Sequence, residues 1–388
     1  MNIEKTARQM LDIISAVIKG EKLDISTMDI DWDEIVRLCD FHGITNLIAY
    51  AADGSVPKEY ADRLHQSSAI AMSRTMQFEF ATNEICEAFE KNKISYMILK
   101  GYIMKNYYPS PEMRTMCDVD MLTKQEDFEK INQVMAQLGY IEKNPFNRND
   151  ERSFHKPPLL SFDMHTQLVS DSHVKLKEYY GNGWHLAKQA TEYGYVMSDE
   201  DFFIFLIAHM AKHYSRAGIG VKHVIDIWIY INKFTDSLDW EYVNIELEKL
   251  KLREFTDKVV KLTKVWFENE KPDEISEAMG NYILLSGMYG TNVNAEKSNK
   301  MRSKNKLLYS INKHFKVLFT GRKDMEKLYP VLKKRPYLLG YYRIKRIITK
   351  LFDGSGTKYL KNQSTINSDK INETQSHFKS VGLDNYIE

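Results

Sequence analysis

The sequence lacks the features that mark secreted, cysteine-zinc and membrane-spanning proteins. Only three of its 388 residues are cysteines, Cys39, Cys86 and Cys117, and no two of them form a CxxC pair. This excludes a disulfide framework and a cysteine zinc site, and it is typical of a reducing compartment. The longest apolar run, "FFIFLIAHMA", is too short to cross a bilayer. The first twenty residues lack the continuous apolar core of a signal peptide. We therefore expect a soluble, cytoplasmic protein without integral membrane contact.

Charge is almost balanced overall, because 54 Lys and Arg face 53 Asp and Glu. Its distribution is uneven, since the segment from Asn299 to Lys361 carries eighteen basic residues against three acidic ones. Such a run is typical of a solvated surface with amphipathic helices. Contact with RNA or with an anionic membrane is the alternative.

Hydrophobic periodicity predicts helical flanks around a mixed centre. Apolar residues recur at helical spacing through residues 1–93, and helical spacing returns over residues 171–290. Between them, "ISYMILKG", "CDVDMLT" and "PPLLSFDMHTQL" have the pattern of buried strands, and helical segments separate them. This alternation predicts a small α/β core over residues 94–170.

The C-terminal third divides by composition into three further segments. Residues 291–305 are polar and rich in helix breakers, which predicts a linker. Residues 306–353 are basic and amphipathic, which predicts helices. Residues 354–388 carry too little apolar content to fold alone, which predicts a disordered tail.

Two aspartates interrupt the second predicted strand. Asp118 and Asp120 are two residues apart, so they project from one face while Val119 and Met121 point into the core. Two carboxylates this close repel each other, and a divalent cation is the usual remedy. The pattern therefore predicts a metal site on this strand.

A third carboxylate follows on the next predicted strand. In "SFDMHTQL", Asp163 and His165 share the polar face, because the residues that alternate with them, Phe162 and Met164, face inward. Three carboxylates on adjacent strands can hold one or two Mg²⁺ ions, which is the arrangement used for in-line phosphoryl or nucleotidyl transfer. His165 is expected at a phosphate or leaving group, or else as a hydrogen-bonded histidine at the edge of the core.

The first predicted strand ends in Lys100 and Gly101. A glycine before a helix lets the backbone approach a phosphate closely. Arg114, four residues before Asp118, could clamp a phosphate oxygen bidentately. Together these residues predict a nucleotide-binding cleft beside the carboxylates.

These motifs together resemble one protein family. The order strand, Gly, helix, DxD strand and later Asp is similar to the DNA polymerase beta-like nucleotidyltransferase superfamily. The fuller wording "LKG…YYP.P..R…DVDML", with "DMH" further on, resembles a bacterial family of uncharacterised nucleotidyltransferases. Further matches are "FHGITNLIAYA", "HMAKHYSRAGIGVKHVIDI" and "LYPVLKKRPYLL", so the resemblance extends over roughly residues 30–350.

The resemblance implies an α+β fold, with a small mixed-sheet nucleotidyltransferase core between helical regions. It implies Mg²⁺-dependent transfer of a nucleoside monophosphate from an NTP to an acceptor, with release of pyrophosphate. Mn²⁺ is an alternative ion. ATP is the NTP that we expect, and the sequence leaves the choice of nucleotide open. The implied metal and catalytic residues are Asp118, Asp120 and Asp163, and the implied nucleotide-binding residues are Lys100, Gly101, Arg114 and His165. The acceptor stays open between a small molecule, a protein and an RNA.

Two other functions stay open on the sequence. Tyr102 follows Gly101 where the superfamily often has Gly or Ser, which favours a catalytically degenerate nucleotide-binding or scaffold protein. The second alternative is a metal-dependent phosphohydrolase that uses His209, His213, His223 and Asp226. The spacing of His209 and His213 at i, i+4 suits a metal, but Met210 stands where the metalloprotease motif needs Glu.

Overall fold

The N-terminal residues are helical, as their apolar spacing predicts. This computed structural model describes residues 3–51, 56–143, 151–169, 174–303, 321–352 and 368–386. Its first helices are α1 (Ile3–Lys19), α2 (Trp32–His42), α3 (Thr45–Ile48) and α4 (Lys58–Lys91). Asp31 caps α2 by accepting a hydrogen bond from the backbone N–H of Glu34, and Gly43 ends the helix in a left-handed conformation. Both signals can be recognised in the sequence.

One mixed sheet of seven strands forms the centre of the described chain. The strands are β1 (Tyr96–Ile98), β2 (Val119–Thr123), β3 (Ile141–Lys143), β4 (Glu151–Lys156), β5 (Leu160–His165), β6 (Lys188–Gln189) and β7 (Gly194–Val196). Their order across the sheet is β3-β4-β5-β2-β1-β7-β6. Strand β2 runs parallel to β5 and antiparallel to β1. The expected α+β class with a mixed-sheet core is therefore confirmed.

The two faces of the sheet have different environments. Val119 and Met121 of β2 are fully buried, and they pair in register with Phe162 and Met164 of β5. These side chains pack against α4 and against α6 (Phe128–Gln137) in one apolar cluster. Since side chains alternate along a strand, the intervening Asp120 points to the opposite face. That face is turned toward the later helices.

Further helices follow the sheet along the chain. They are α7 (Val174–Tyr180), α8 (Asp199–Tyr214), α9 (Val221–Phe234), α10 (Trp240–Lys249), α11 (Arg253–Phe267), α12 (Glu274–Leu284) and α13 (Asn292–Arg302), and the short helix α5 (Lys100–Met104) follows β1. Ser198 caps α8 by accepting from the backbone N–H of Asp201. Gly218 (φ +94°) turns the chain from α8 to α9, and a Cβ there would collide with Ser286.

The structure corrects three predicted segment boundaries. Strands β6 and β7 lie inside the segment 171–290 that we expected to be helical, and β7 joins the sheet beside β1. These strands have only two and three residues, too few for a periodic signal. The predicted linker 291–305 instead contains α13. Thr291 caps this helix, and Ser298 is buried where its hydroxyl donates to the backbone oxygen of Ser215 at 2.7 Å.

The third correction concerns the predicted disordered tail. Residues Ser368–Ser380 form a helix. Phe378, Val381 and Leu383 are buried in the same core as α8 and α11. These few apolar side chains stabilise the segment because a long-range partner receives them, which local composition does not reveal. The rest of the predicted tail, residues 354–367 and 387–388, lies outside the described residues.

The basic segment is helical where it is described. Its helices are Arg322–Leu328, Val331–Lys334 and Leu339–Phe352. Lys333, Lys334 and Arg335 are exposed, as a solvated surface requires. Residues 304–320 lie outside the description. Among the described helices, none is both long and apolar enough to traverse a membrane.

Candidate active site

The paired strands β2 and β5 place two of the aspartates side by side. Asp120 and Asp163 are register partners, so both side chains leave the sheet on the same face. Asp118 directly precedes β2, whose pairing with β5 begins at Val119 and Phe162. Asp118 therefore lies at the end of the strand pair rather than within it.

Asp120 has two polar partners. Lys100 Nζ donates to its Oδ2 at 2.7 Å, and His165 Nε2 donates to its Oδ1 at 2.8 Å. Burial opposes ionisation of Asp120, but the Lys100 charge and the His165 hydrogen bond hold its pKa well below the usual value. Asp120 is therefore ionised, and its negative charge is available to a cation.

The pKa values of the other two carboxylates, Asp118 and Asp163, are shifted upward instead. Burial, then the charges of Asp120 and Asp163, raises the pKa of Asp118. Burial also raises the pKa of Asp163, although a hydrogen bond with Ser153 of β4 opposes the shift. Three acids on one face thus repel one another at some cost, which a bound cation would relieve.

The donor set fits a divalent cation. Asp120, Asp163 and His165 each offer a ligand atom, and these atoms lie within 4.8 Å of one another. Carboxylate oxygens suit Mg²⁺ and Mn²⁺, and an imidazole nitrogen suits transition metals. Asp118, which we expected in this set, lies outside the group and lines the adjoining cleft.

A cleft of about 370 Å³ separates the sheet from the helices. Its sheet side presents Lys100, Gly101, Asp118 and Asp120, and α8 and α9 contribute His209, His213, Lys222 and His223. Asp163 and His165 do not line the cleft directly but adjoin it through Asp120. The structure therefore brings the predicted residues to one region, with the carboxylates at one edge.

Arg114 pairs with Asp226, whereas its position four residues before Asp118 suggests a phosphate as its partner. Its Nε and Nη2 donate to Asp226 Oδ1 and Oδ2 of α9, at 2.9 and 2.8 Å. Tyr108 also donates to Asp226, at 2.8 Å. The guanidinium edge that could clamp a phosphate bidentately is thus occupied. A Cβ on Gly101 would lie 3.2 Å from Nη1, so the remaining nitrogen faces Gly101 at the cleft.

Tyr102 points away from the cleft. Its ring is partly buried against the cluster of α4 and the sheet, and the Lys105 ammonium lies 4.3 Å from the ring centroid. The phenol therefore does not occupy the space beside Gly101. The departure from Gly or Ser at this position leaves the approach to Gly101 open.

Several cleft residues were not among the predicted site residues. Lys222, Cys117 and Tyr289 line it, and the Cys117 thiol lies 2.9 Å from the Tyr289 hydroxyl. They are far apart in sequence, and no motif links them. Asp226, which the phosphohydrolase alternative uses as a metal ligand, is instead the partner of Arg114.

The mixed sheet with adjacent carboxylates at a cleft is the arrangement expected of a nucleotidyltransferase core. A family model described as "Uncharacterised nucleotidyltransferase" matches residues 28–268, and the chain belongs to this family. The match includes the sheet and the helices α8 and α9 that line the cleft. It ends before Tyr289 and before "LYPVLKKRPYLL", so it is shorter than the resemblance noted in the sequence. No curated protein and no solved structure has significant similarity to the chain.

Proposed function

We propose that the protein is a divalent-cation-dependent nucleotidyltransferase that transfers a nucleoside monophosphate from an NTP to an acceptor. The adjacency of Asp120, Asp163 and His165, with ligand atoms within 4.8 Å, carries the proposal. Mg²⁺ is the expected ion, with Mn²⁺ as an alternative, and ATP is the expected nucleotide. When bound, such an ion would neutralise phosphate charge and favour the ionised acceptor.

The residues of the chain have separate roles in the proposed reaction. Asp120, held in its ionised form, would be the principal anionic ligand of the ion. Asp163, whose carboxylate is close enough to share the ion with Asp120, would accept the proton of the acceptor hydroxyl. When a cation binds to Asp120, the Lys100 ammonium group would leave that carboxylate and donate to a phosphate oxygen instead. Gly101 leaves space for the nucleotide phosphates, and Arg114 presents Nη1 beside it.

The proposed reaction forms one bond and breaks one. The acceptor oxygen bonds to the α-phosphorus, and the bond from that phosphorus to the bridging oxygen of the β-phosphate breaks. The electron pair leaves with pyrophosphate, and the acceptor proton passes to Asp163. Because Asp163 adjoins the cleft at β5, we expect the acceptor to approach from that side. It could be a small molecule, a protein or an RNA.

The two alternatives have less support from the geometry. Tyr102 was the main argument for a degenerate scaffold, and its side chain is turned toward α4. The phosphohydrolase needs Asp226 as a ligand, but Arg114 and Tyr108 occupy that carboxylate. Within the described ranges, the histidines of α8 and α9 do not belong to a group with metal-ligand spacing.

The test is nucleotide transfer itself. The protein is incubated with each labelled NTP, Mg²⁺ and a cytoplasmic lysate, and both pyrophosphate and labelled product are measured. We expect Asp120→Asn to lower pyrophosphate release by about two orders of magnitude or more, since it removes the central charge and keeps the volume. The exposed Asp236→Asn is the matched control. Release from D120N within tenfold of the wild type would contradict the proposal.

A further inference from the structure

The helical wall of the cleft has no role in the function proposed so far. Helix α8 contributes His209 and His213, and the start of α9 contributes Lys222 and His223. These side chains face the same space as Asp118 and Asp120. All four line a volume that is in the range of small-molecule sites. The question is which ligand chemistry this wall would receive.

Lys222 of this wall and Lys212 of α8 are half-buried lysines, and among the described residues neither has an acidic partner at salt-bridge distance. Lys222 Nζ donates to the backbone oxygen of Thr115 at 3.1 Å. Burial lowers the pKa of both ammonium groups to about 8. A partly buried charge without a salt-bridge partner is costly, so an anionic ligand in the cleft would stabilise the ammonium group of Lys222.

The histidines of the wall are neutral and close together. His209 Nε2 lies 3.1 Å from His213 Nε2, and the ring of His223 stacks 6.2 Å from that of His209. His223 Nδ1 is buried and has no hydrogen-bond partner among the described residues. Since one Nε2–H of the His209–His213 pair donates to the other Nε2, the accepting ring keeps an Nδ1–H that it can present to a ligand.

Charge decides between a metal and an anion at these histidines. Burial first, and then neighbouring cations that include Lys100 and Lys212, lowers the pKa of His209 and His213. The cations Lys100 and Lys212 beside these rings disfavour a further positive charge, such as a doubly charged metal ion. The same surrounding attracts a polyanion. The wall thus suits an anionic ligand, whereas the carboxylate edge opposite suits a cation.

We propose that the α8–α9 wall binds the polyphosphate tail of the nucleotide, with Lys222 as its main charged contact and His213 as a neutral donor. The inference rests on the proposed function for the identity of the ligand as a nucleoside triphosphate. Under this assignment the helical wall holds the two phosphates that leave as pyrophosphate. The sheet edge then holds the α-phosphate at the carboxylates.

The test is binding of tripolyphosphate to the full-length protein by calorimetry in the presence of Mg²⁺. We expect Lys222→Met to weaken binding at least about tenfold, because a charge-assisted contact is lost, and Lys222→Arg to retain most of the affinity. His213→Ala should weaken binding several-fold. Lys233→Met, on the exposed face of the same helix, is the matched control and should bind as the wild type does.

Separate outcomes would overturn the inference and the proposed function. Wild-type tripolyphosphate affinity in both folded K222M and H213A would overturn the inference, as would a loss confined to the acceptor KM. If thermal unfolding shows that K222M does not fold, the tripolyphosphate affinities of H213A and K222R test the inference instead. A wild-type protein that binds tripolyphosphate but releases no pyrophosphate would overturn the proposed transfer and leave the binding wall in place.

Discussion

At the residue scale, Asp226 joins the sheet region to the helices. It is 5% exposed and accepts hydrogen bonds from Arg114 and Tyr108. A buried charge pair is poor evidence of net stability, but removal of one partner leaves the other charge uncompensated. The pair also fixes which guanidinium nitrogen remains near Gly101.

We therefore expect Asp226→Ala to lower the free energy of unfolding by about 3–5 kcal/mol, because the Arg114 charge stays buried. Urea unfolding measures this, with the exposed Asp236→Ala as control. Asp226→Asn, which keeps the volume, should unfold less readily than D226A and show a raised KM for NTP. Equal stabilities of D226A and D236A would contradict the role assigned to this pair.

Gly101→Ala separates stability from nucleotide binding. Alanine in a helix is favoured over glycine, so the melting temperature should stay the same or rise. The new Cβ would stand 3.2 Å from Arg114 Nη1 and would narrow the approach to the cleft. We expect a several-fold rise in the KM for NTP. An unchanged KM would show that the nucleotide does not pass close to Gly101.

At the element scale, His42 joins three helices. Its Nε2 donates to the backbone oxygen of Leu284 at the end of α12, at 3.2 Å. Its Nδ1 accepts from the backbone N–H of Val221 at the start of α9, at 3.4 Å. A carbonyl can only accept and an amide N–H can only donate, so the neutral Nε2–H tautomer is required. Protonation would turn Nδ1 into a donor against another donor.

This geometry predicts loss of stability in acid. Burial lowers the pKa of His42 to about 4, against about 6.5 for an unfolded histidine. The unfolded chain therefore takes up a proton between pH 6.5 and 4 that the folded chain resists, and stability falls as the pH drops through this window. We expect His42 to account for a loss of about 2 kcal/mol between pH 7 and pH 5.

Urea unfolding of the wild type and of His42→Gln at both pH values measures the effect. The other buried histidines contribute to both proteins alike, so the difference between the two pH slopes isolates His42. Parallel slopes would contradict the assignment of a neutral, buried ring. H42Q need not match the wild type in stability at pH 7.

At the scale of the whole molecule, the C-terminal helix Ser368–Ser380 belongs to the helical core. Phe378 is 1% exposed, and His377 Nε2 lies 2.7 Å from the Tyr214 hydroxyl of α8. Helix α8 also carries two histidines of the cleft. The C-terminal segment thus supports the helix that forms one wall of the candidate site.

Phe378→Ala should lower the free energy of unfolding by about 3–5 kcal/mol, as expected for a buried phenylalanine. Phe80→Ala is the matched control, because Phe80 of α4 is 73% exposed and should change stability by no more than about 0.5 kcal/mol. If the segment were a disordered tail, the two variants would be equally stable by urea unfolding.

Local patterns in the sequence determined much of the core. The apolar alternation around Asp118 and Asp120 predicted β2 and its buried face. The spacing of Asp163 and His165 put both on the polar face of β5. These properties follow from backbone periodicity, which depends on neighbours a few residues away.

Only the tertiary structure decided which residues meet. The pairing of Arg114 with Asp226 joins positions 112 residues apart, and the contact of Lys222 with Thr115 joins positions 107 apart. The strands β6 and β7 are too short for a pattern and exist because β1 offers a free edge. The C-terminal helix is ordered because a core receives Phe378. Periodicity reports which face of an element is apolar, but the partner of that face is set by how distant segments pack.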